Sequence, residues 1–308
     1  MRWIGHRQID CERHPDPDLV TPIRIVAGAF GPGRPARDLL LSPDHAVADG
    51  DVLIPIKLLL NGASIWRETG RRQVGYFYIE LDHHDILLAE GLGAESYLDT
   101  GNRTMFDIEG QPVVLHPDFT TGQYGRETRS CAPFEDRPAQ VEPVWRALAE
   151  RAIAMGWSLP KKPVLEDDPD LHIVIRTRRI KPAVIKGGHY TFVIPPGDTP
   201  VRLGSRSARP RDVWPWVADD RILGVRIRRL TLRSGHNVRD FAMDDPTLDQ
   251  GWWETEWDDR VPCRWTQGNA ILPPLDAGVL NIELVGTMSY STEGTTTTDG
   301  ESSEAAAA

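Results

Sequence analysis

The sequence predicts a mostly β protein in which one helix separates two β-rich parts. Three observations predict this class. Short apolar runs recur between turns, 25 prolines and 27 glycines supply those turns, and one segment spaces its apolar residues as a helix does. With 308 residues, the chain is long enough for two modest domains, each with its own core.

The first part of the chain is expected to hold short strands joined by tight turns. We expect a strand and a Gly/Pro turn from residue 20 onward, followed by two apolar strands within residues 39–65. A D-G-D turn at Asp49–Asp51 suits a hairpin between these two strands. Residues 74–92 are expected to form a further strand pair or one long bent strand.

The helix is expected at residues 142–157, within a linker that covers residues 119–170. Pro143 lies near its start, where proline is tolerated, and Gly156 lies near its end. The apolar face of this helix comprises Val144, Leu148, Ala152 and Met155.

The last part of the chain is expected to be a β-sandwich or a jelly-roll-like domain over residues 171–292. Its short strands follow one another at regular spacing, and Val225 and Ile227 alternate with charged neighbours. Residues 293–308 are low in complexity, so we expect a disordered tail there.

Composition argues against several functions. The formal net charge of -10 argues against nucleic acid as a partner, because phosphate binding needs a basic surface. No apolar run is long enough to span a membrane, and residues 1–20 lack the apolar core of a signal peptide. The localisation stays open between the cytoplasm and export by another signal. Because Cys11, Cys131 and Cys263 are odd in number and widely spaced, we expect three free thiols.

A candidate catalytic set begins with Ser42, three residues before His45. An imidazole placed there can donate a proton to a departing amide nitrogen, and the hydroxyl can orient the amide or stabilise a tetrahedral oxyanion. His84, expected on a separate strand, is a third candidate. The set still needs a nucleophile to act on a peptide bond, and it requires neither a cofactor nor a metal.

These residues resemble motifs of the Hint (Hedgehog/intein) family. The segment Ser42–His45 resembles the Thr-x-x-His block of that family, with Ser in place of Thr. The segment Tyr78–Gly91 resembles the final strand pair, and His84 matches the later histidine of the family. The opening residues Arg2 to Arg7 are similar to a strand in the middle of bacterial Hint-domain-containing proteins.

The resemblance covers residues 1–118 and implies a partial Hint-type β fold. The function that it implies is self-cleavage by an N-to-S acyl shift at an N-terminal cysteine. In that reaction His45 would protonate the amide, Ser42 would help to orient it and His84 would support a later step. The implied partner is the chain's own upstream polypeptide, if the full-length gene is longer.

Departures from the family pattern predict that this chain does not process itself. A complete Hint domain begins with Cys, several dozen residues before the segment that resembles Arg2–Arg7, whereas Cys11 lies inside the sequence. Ala94–Ser96 stands where the family has a final His-Asn, so splicing through Asn cyclisation is not supported. A late gene start, a fragment or a retired scaffold would each explain the absent cysteine.

Purely structural roles compete with the catalytic ones. The Ser42 hydroxyl can simply cap a turn, and His45 can be a half-buried residue with its hydrogen bonds satisfied. The run Asp82–Asp85 resembles a metal cluster, but strand alternation would leave two ligands on each side, which is too few for zinc.

An alternative function is that of a glycan-binding or cell-surface accessory protein, acting through the Trp-rich last part of the chain. Tryptophans near acidic and amide side chains suit sugars, which stack on aromatic faces and hydrogen-bond through their hydroxyls. Core packing explains the same tryptophans, which are Trp214, Trp216, Trp252 and Trp253. Four arginines that either hold an anion or form a solvated face are Arg202, Arg206, Arg209 and Arg211.

Overall fold

The structure is a computed structural model that describes residues 1–99, 106, 129–197 and 200–291. These residues are mostly β, as the sequence predicts. The tail predicted at residues 293–308 lies outside the described residues. No helix in the described part of the chain has the length and apolar character that a membrane span requires.

The chain divides into two compact units. Unit 1 comprises Met1–Lys161 and Trp214–Ala218, and unit 2 comprises Lys162–Val213 and the described residues from Asp219 onward. The first boundary drawn from the sequence, at residue 118, falls outside the described residues. The boundaries drawn from the sequence therefore stay predictions.

Unit 1 is built from antiparallel strands in three sheets. In chain order its strands are β1 (Trp3–Asp10), β2 (Ile23–Ile25), β3 (Leu39–Leu41), β4 (Ala46–Asp49), β5 (Val52–Pro55), β6 (Ile65–Arg67), β7 (Gln73–Glu80), β8 (Ile86–Ala89) and β9 (Leu92–Glu95). β1 and β7 form a ribbon, β3-β2-β6 form a three-stranded sheet, and β5-β4-β9-β8 form a four-stranded sheet. Short 3-10 helices cover Pro17–Leu19 and Ile56–Leu59.

The turns of unit 1 follow the sequence pattern closely. The predicted hairpin at Asp49–Asp51 is confirmed, because β4 and β5 pair up to Asp49 and Val52. Gly50 has a φ of +56°, which glycine adopts without strain. Residues 74–92 contribute β7 and β8 to different sheets, because residues 81–85 bend the chain between them.

The helix α1 (Pro138–Ala154) belongs to the fold of unit 1. It begins before the predicted residue 142, with Pro138 in its first turn, where no backbone N–H is needed. Met155, predicted on the buried face, is instead exposed just beyond the end of the helix. The buried face packs on the sheets of unit 1 and comprises Val141, Trp145, Leu148, Ala149 and Ala152.

The described residues of unit 2 form three antiparallel sheets, and the two larger sheets share one core. Its strands are β10 (Leu165–Glu166), β11 (His172–Ile175), β12 (Arg178–Ile180), β13 (Val184–Lys186), β14 (His189–Ile194), β15 (Val201–Gly204), β16 (Val225–Ser234), β17 (Asn237–Phe241), β18 (Trp252–Asp258), β19 (Val261–Thr266), β20 (Asn269–Ile271), β21 (Gly278–Thr287) and β22 (Tyr290–Ser291). A short helix, α2, covers Pro210–Val213. The smallest sheet pairs β10 with β22, and the four-stranded sheet is β12-β11-β15-β20. The seven-stranded sheet is β13-β14-β21-β16-β19-β18, with β17 paired to β16.

The predicted β-sandwich is confirmed by the core of unit 2. Ile173 and Leu203 of the four-stranded sheet and Phe192 of the seven-stranded sheet belong to one buried cluster. Val225 and Ile227 are fully buried, whereas the charged residues that follow each of them are not. The alternation in the sequence therefore identified the inward face of β16 correctly.

Candidate functional site

Ser42, Pro43, Asp44 and His45 form a tight turn between β3 and β4. The His45 N–H donates to the Ser42 carbonyl at 3.0 Å, and Pro43 occupies the second position, where its fixed φ suits such a turn. The Lys57 N–H donates to the Pro43 carbonyl at 3.1 Å, and the Lys57 ammonium pairs with the Asp44 carboxylate. The turn is therefore anchored both by its own hydrogen bond and by the neighbouring 3-10 helix.

The Ser42 hydroxyl is paired with a second hydroxyl. Its Oγ lies 2.7 Å from the phenol oxygen of Tyr78, and Ser42 is only 3% exposed. Burial raises the pKa of Tyr78 well above its ordinary value. The hydrogen bond with Ser42 opposes that rise, and the charges of Asp44 and Glu95 add to it. The phenol therefore keeps its proton near neutral pH, so the pair always contains a hydrogen-bond donor.

The Tyr78 ring also adjoins His45 and an aromatic cluster. The centroid of the Tyr78 ring lies 6.0 Å from that of His45, 5.1 Å from that of Phe106 and 6.1 Å from that of Tyr97. Trp3 packs against both Phe106 and Tyr97. β1, β7 and the residues after β9 thus fix Tyr78 beside the turn. The structure brings the predicted Ser42 and His45 together around this one phenol.

Glu95 lies at the end of β9 and is 7% exposed. Its Oε1 accepts a 2.8 Å hydrogen bond from the N–H of Ala46, the residue that follows His45. Its Oε2 lies 3.5 Å from Nε2 of His84. One buried carboxylate therefore connects the backbone beside one candidate histidine with the ring of the other.

His84 lies in the bend before β8, and the prediction that it lies on a strand is therefore wrong. Its side chain is 1% exposed, and its Nδ1 accepts a 3.0 Å hydrogen bond from the Cys131 N–H. The neutral ring therefore carries its proton on Nε2, which faces Glu95. No hydrogen bond satisfies this Nε2 among the described residues. His84 is connected to the turn through Glu95.

The three cysteines are free, as predicted. Cys11 is buried directly after β1, and burial, aided by the charge of Asp10, raises the pKa of its thiol. Burial is also the largest cause that raises the pKa of the exposed Cys131, with the charge of Asp85 next. Cys263 is buried in unit 2. The thiols of Cys11 and Cys131 are thus neutral at pH 7, whereas a nucleophile needs a thiolate.

The tryptophans considered for glycan binding pack against other parts of the protein. Trp214 and Trp216 belong to the core cluster of unit 1, where the Trp216 ring lies 5.0 Å from that of Trp145. Trp252 and Trp253 donate their indole N–H groups to backbone carbonyls at 2.8 and 2.7 Å. Glycan binding through these four residues therefore stays a prediction that their described contacts do not favour.

The residues considered for metal or anion binding do not form such a site in the described part of the chain. Among the described residues, no three His, Cys, Asp or Glu side chains gather as a metal site. The run Asp82–Asp85 lies in a bend, so the strand alternation assumed for it does not apply. Arg206 pairs with Glu166, which occupies one of the arginines considered for anion binding.

Sequence reasoning did not assign a role to Tyr78 or Glu95. In the sequence, Tyr78 stands out only as part of a family motif, because its partner Ser42 lies 36 positions away. The signal for Glu95 is an acidic residue in the otherwise apolar strand β9, next to the fully buried Ser96. A buried acid of this kind requires a hydrogen-bonding partner, and that requirement points to a site.

A comparison with models of known protein families finds a match in this part of the chain. Residues 1–101 match the family model described as Hint domain. Neither the curated proteins nor the solved structures contain a match to the chain. The matched range contains all of Ser42, His45, Tyr78, His84 and Glu95.

Proposed function

We propose, from the premise that residues 1–101 are a Hint domain, that this domain carries the proton-transfer half of a peptide-cleaving site. His45 donates a proton to the departing amide nitrogen, and the hydroxyls of Ser42 and Tyr78 stabilise the tetrahedral oxyanion. One observation carries the proposal: Ser42 and His45 both adjoin Tyr78, with a 2.7 Å oxygen–oxygen distance and a 6.0 Å ring separation.

The rigidity of the turn supports this assignment. Catalytic donors are effective when they already point at the position where charge develops, because no reorganisation is then needed during the reaction. The Ser42–His45 turn is held by its internal hydrogen bond and by Lys57. Since Tyr78 has a raised pKa, its hydroxyl remains a donor throughout the pH range in which an imidazole titrates.

Glu95 and His84 act as positioning residues in this proposal. Glu95 fixes the backbone next to His45 and faces the proton on Nε2 of His84. Because His84 is almost fully buried, it supports the site through Glu95 and does not touch the scissile bond. The hydrogen bond to the Ala46 N–H holds the backbone beside the proposed catalytic imidazole in place.

We further propose that this chain does not cleave itself. The acyl shift forms a bond between a sulfur and the acyl carbon and breaks the bond from that carbon to the amide nitrogen, which takes its proton from His45. The attacking sulfur must be a thiolate. Cys11, the one cysteine of the first hundred residues, is buried with a raised pKa and lies inside the chain.

A fusion experiment tests both parts of the proposal. With a soluble carrier fused before Met1, we expect no thiol-dependent cleavage over one day, as followed by intact-mass spectrometry. A second fusion places a Cys-led segment from a Hint-family protein before Met1, and we expect cleavage at that cysteine. Cleavage of the first fusion near Met1 would contradict the proposed inactivity. A second fusion that folds, by circular dichroism, but stays intact would contradict the proposed proton-transfer site.

A further inference from the structure

Unit 1 contains an open cleft of about 390 Å³ between its three-stranded sheet and the end of α1. Its wall residues lie within residues 24–38, at residue 66 and within residues 155–157, where the chain is described without a gap. The volume lies within the range of sites for small molecules. Since part of the wall lies beyond residue 101, the cleft extends outside the range that matches the family model.

The end of α1 places Trp157 beside Trp66 of β6. Gly156 ends the helix with a φ of +90°, and the Trp157 N–H donates to the Ala152 carbonyl at 3.0 Å. The ring centroids of Trp66 and Trp157 lie 5.8 Å apart, with an angle of 47° between the ring planes. The two rings therefore form an angled aromatic wall whose position is set by a strand and a helix end.

The indole N–H groups of this wall are not used by the fold. Those of Trp145, Trp252 and Trp253 donate to backbone carbonyls. Trp66 and Trp157 donate theirs to no other described residue. In addition, Trp157 is 41% exposed, which leaves a large apolar surface in water. An exposed ring with a free donor is suited to stacking on a ligand.

A charge-balanced cluster forms the polar side of the cleft. Arg24 lies opposite Trp66 in the β2–β6 register and is half-buried. Its guanidinium donates two hydrogen bonds to Glu68, at 2.7 and 2.8 Å, and one to Asp38, at 2.9 Å. Glu68 also pairs with Arg71 at 3.4 Å. Two cations and two carboxylates cancel each other, so the cluster selects neither an anion nor a cation.

This cluster retains hydrogen-bonding capacity for a ligand. The Arg24 guanidinium uses three of its N–H groups in the bonds to carboxylates and keeps others free. The Asp38 carboxylate accepts from Arg24 and from the Ala27 N–H at 3.0 Å, which leaves lone pairs available on a half-exposed side chain. Hydroxyl groups of a ligand can therefore accept from Arg24 and donate to Asp38.

We propose that this space, the tryptophan cleft, binds a neutral hexopyranose sugar. A C–H face of the sugar ring stacks on Trp157, and its hydroxyls hydrogen-bond with Asp38, Arg24 and the free indole N–H groups. A neutral ligand matches the balanced charges, and an apolar face edged by hydroxyls matches an aromatic wall beside a polar cluster. The cleft shares no residue with the Ser42–His45 turn, so this proposal does not depend on the proposed function.

NMR titration of the nitrogen-15-labelled full chain tests the proposal with cellobiose, whose equatorial hydroxyls leave C–H groups on both faces of each ring. We expect saturable shifts of the indole N–H signals of Trp66 and Trp157, with a Kd of about 1 mM. Trp66→Phe and Trp157→Phe assign these two signals by removing them. Absence of saturable shifts in both signals would overturn the proposal.

Two other probes test the class of ligand. Sorbitol carries hydroxyls without a rigid ring face, and choline is a cation that aromatic rings can attract. Each is expected to bind at least about tenfold more weakly than cellobiose. If sorbitol binds as well as cellobiose, the aromatic wall does not recognise a sugar ring. If choline binds more tightly, the cleft recognises a cation, and either result would overturn the proposal.

A pair of tryptophan variants separates the cleft from general stacking on exposed rings. Trp157→Ala is expected to weaken cellobiose binding at least about tenfold. Because the ring is exposed, the unfolding temperature is expected to change little. Trp257→Ala removes a 60% exposed tryptophan of unit 2 and is expected to leave cellobiose binding unchanged. Equal weakening in both variants would contradict the proposal.

Asp38→Ala tests the polar side of the cleft. The variant removes an acceptor for sugar hydroxyls, whereas Arg24 keeps its two hydrogen bonds to Glu68. The Ala27 N–H loses its acceptor but lies in an exposed residue, where water replaces the carboxylate. We expect cellobiose binding to weaken several-fold with the fold retained by circular dichroism. Undiminished binding would remove Asp38 from the site and contradict the proposal.

Discussion

The two units bury polar side chains in very different numbers. Among the described residues, unit 1 buries eleven polar or charged residues, including Ser42, Asp44 and Glu95, whereas unit 2 buries only Thr266. A buried polar group destabilises a fold unless a hydrogen bond compensates for its lost hydration. Unit 2 therefore depends on apolar packing, and unit 1 depends additionally on specific hydrogen bonds. We expect the units to respond to different kinds of mutation.

The largest effect is expected in the packing of unit 2. Phe192 is fully buried in its core, so Phe192→Ala removes contacts and leaves a cavity. We expect a loss of about 3–5 kcal/mol in the free energy of unfolding, as measured by urea titration. Phe77 is 66% exposed, and Phe77→Ala is expected to change stability by less than about 0.5 kcal/mol. Equal losses in both variants would show that the core of unit 2 is misplaced.

In unit 1, substitution of one buried polar residue is expected to lower the free energy of unfolding by a comparable amount. Glu95→Leu leaves the Ala46 N–H buried without an acceptor and removes the carboxylate that lies 3.5 Å from Nε2 of His84, and we expect a loss of about 3 kcal/mol. Glu95→Gln keeps an acceptor of the same shape, so its cost is expected to be about 1 kcal/mol or less. If Glu95→Leu leaves the free energy of unfolding unchanged in a urea titration, Glu95 does not stabilise the fold through these contacts.

The hydroxyl pair sharpens the comparison, because its two members should not act independently. Ser42→Ala and Tyr78→Phe each remove the hydrogen bond between the two hydroxyls and are expected to cost about 1–2 kcal/mol. The double variant is expected to cost less than the sum, with a coupling of about 1 kcal/mol in a double-mutant cycle. Strict additivity would mean that the two hydroxyls do not interact in solution.

The smallest effect is expected in the pH dependence of stability, through a half-buried ion pair of unit 1. Two hydrogen bonds from Arg24, at 2.7 and 2.8 Å, are the main cause that lowers the pKa of Glu68 from 4.5 to about 2. A lowered folded-state pKa adds stability above pH 4.5, and that stability is lost as the pH falls from about 4.5 towards 2. Glu68→Gln should flatten this part of a stability–pH curve. An unchanged curve would show that Glu68 titrates normally.

Much of the fold could be predicted because its signals are local. The D-G-D turn identified the β4–β5 hairpin, and the alternation around Val225 identified the inward face of β16. The helix was found at the right place with its start displaced by four residues, because Pro138 can begin a helix that the apolar spacing alone does not show. Signals of this kind lie within a few residues of the element that they predict.

The site could be predicted only in part because its contacts are distant in sequence. The spacing of Ser42 and His45 is local and was recognised. The partners of this turn are Tyr78, 36 positions from Ser42, and Glu95, 49 positions from Ala46. Such pairs are created by the packing of separate sheets, which no short motif encodes. For the same reason, His84 could be recognised as a candidate while its burial and its contact with Cys131 could not.

The cleavage rate of the fusion that carries a Cys-led segment tests the central claim most directly. We predict that His45→Ala lowers this rate at least about a hundredfold, because a positioned proton donor is lost. His189→Ala changes an exposed histidine of unit 2 and is predicted to leave the rate unchanged. Equal rates for the His45→Ala fusion and its parent would contradict the assignment of proton transfer to the Ser42–His45 turn.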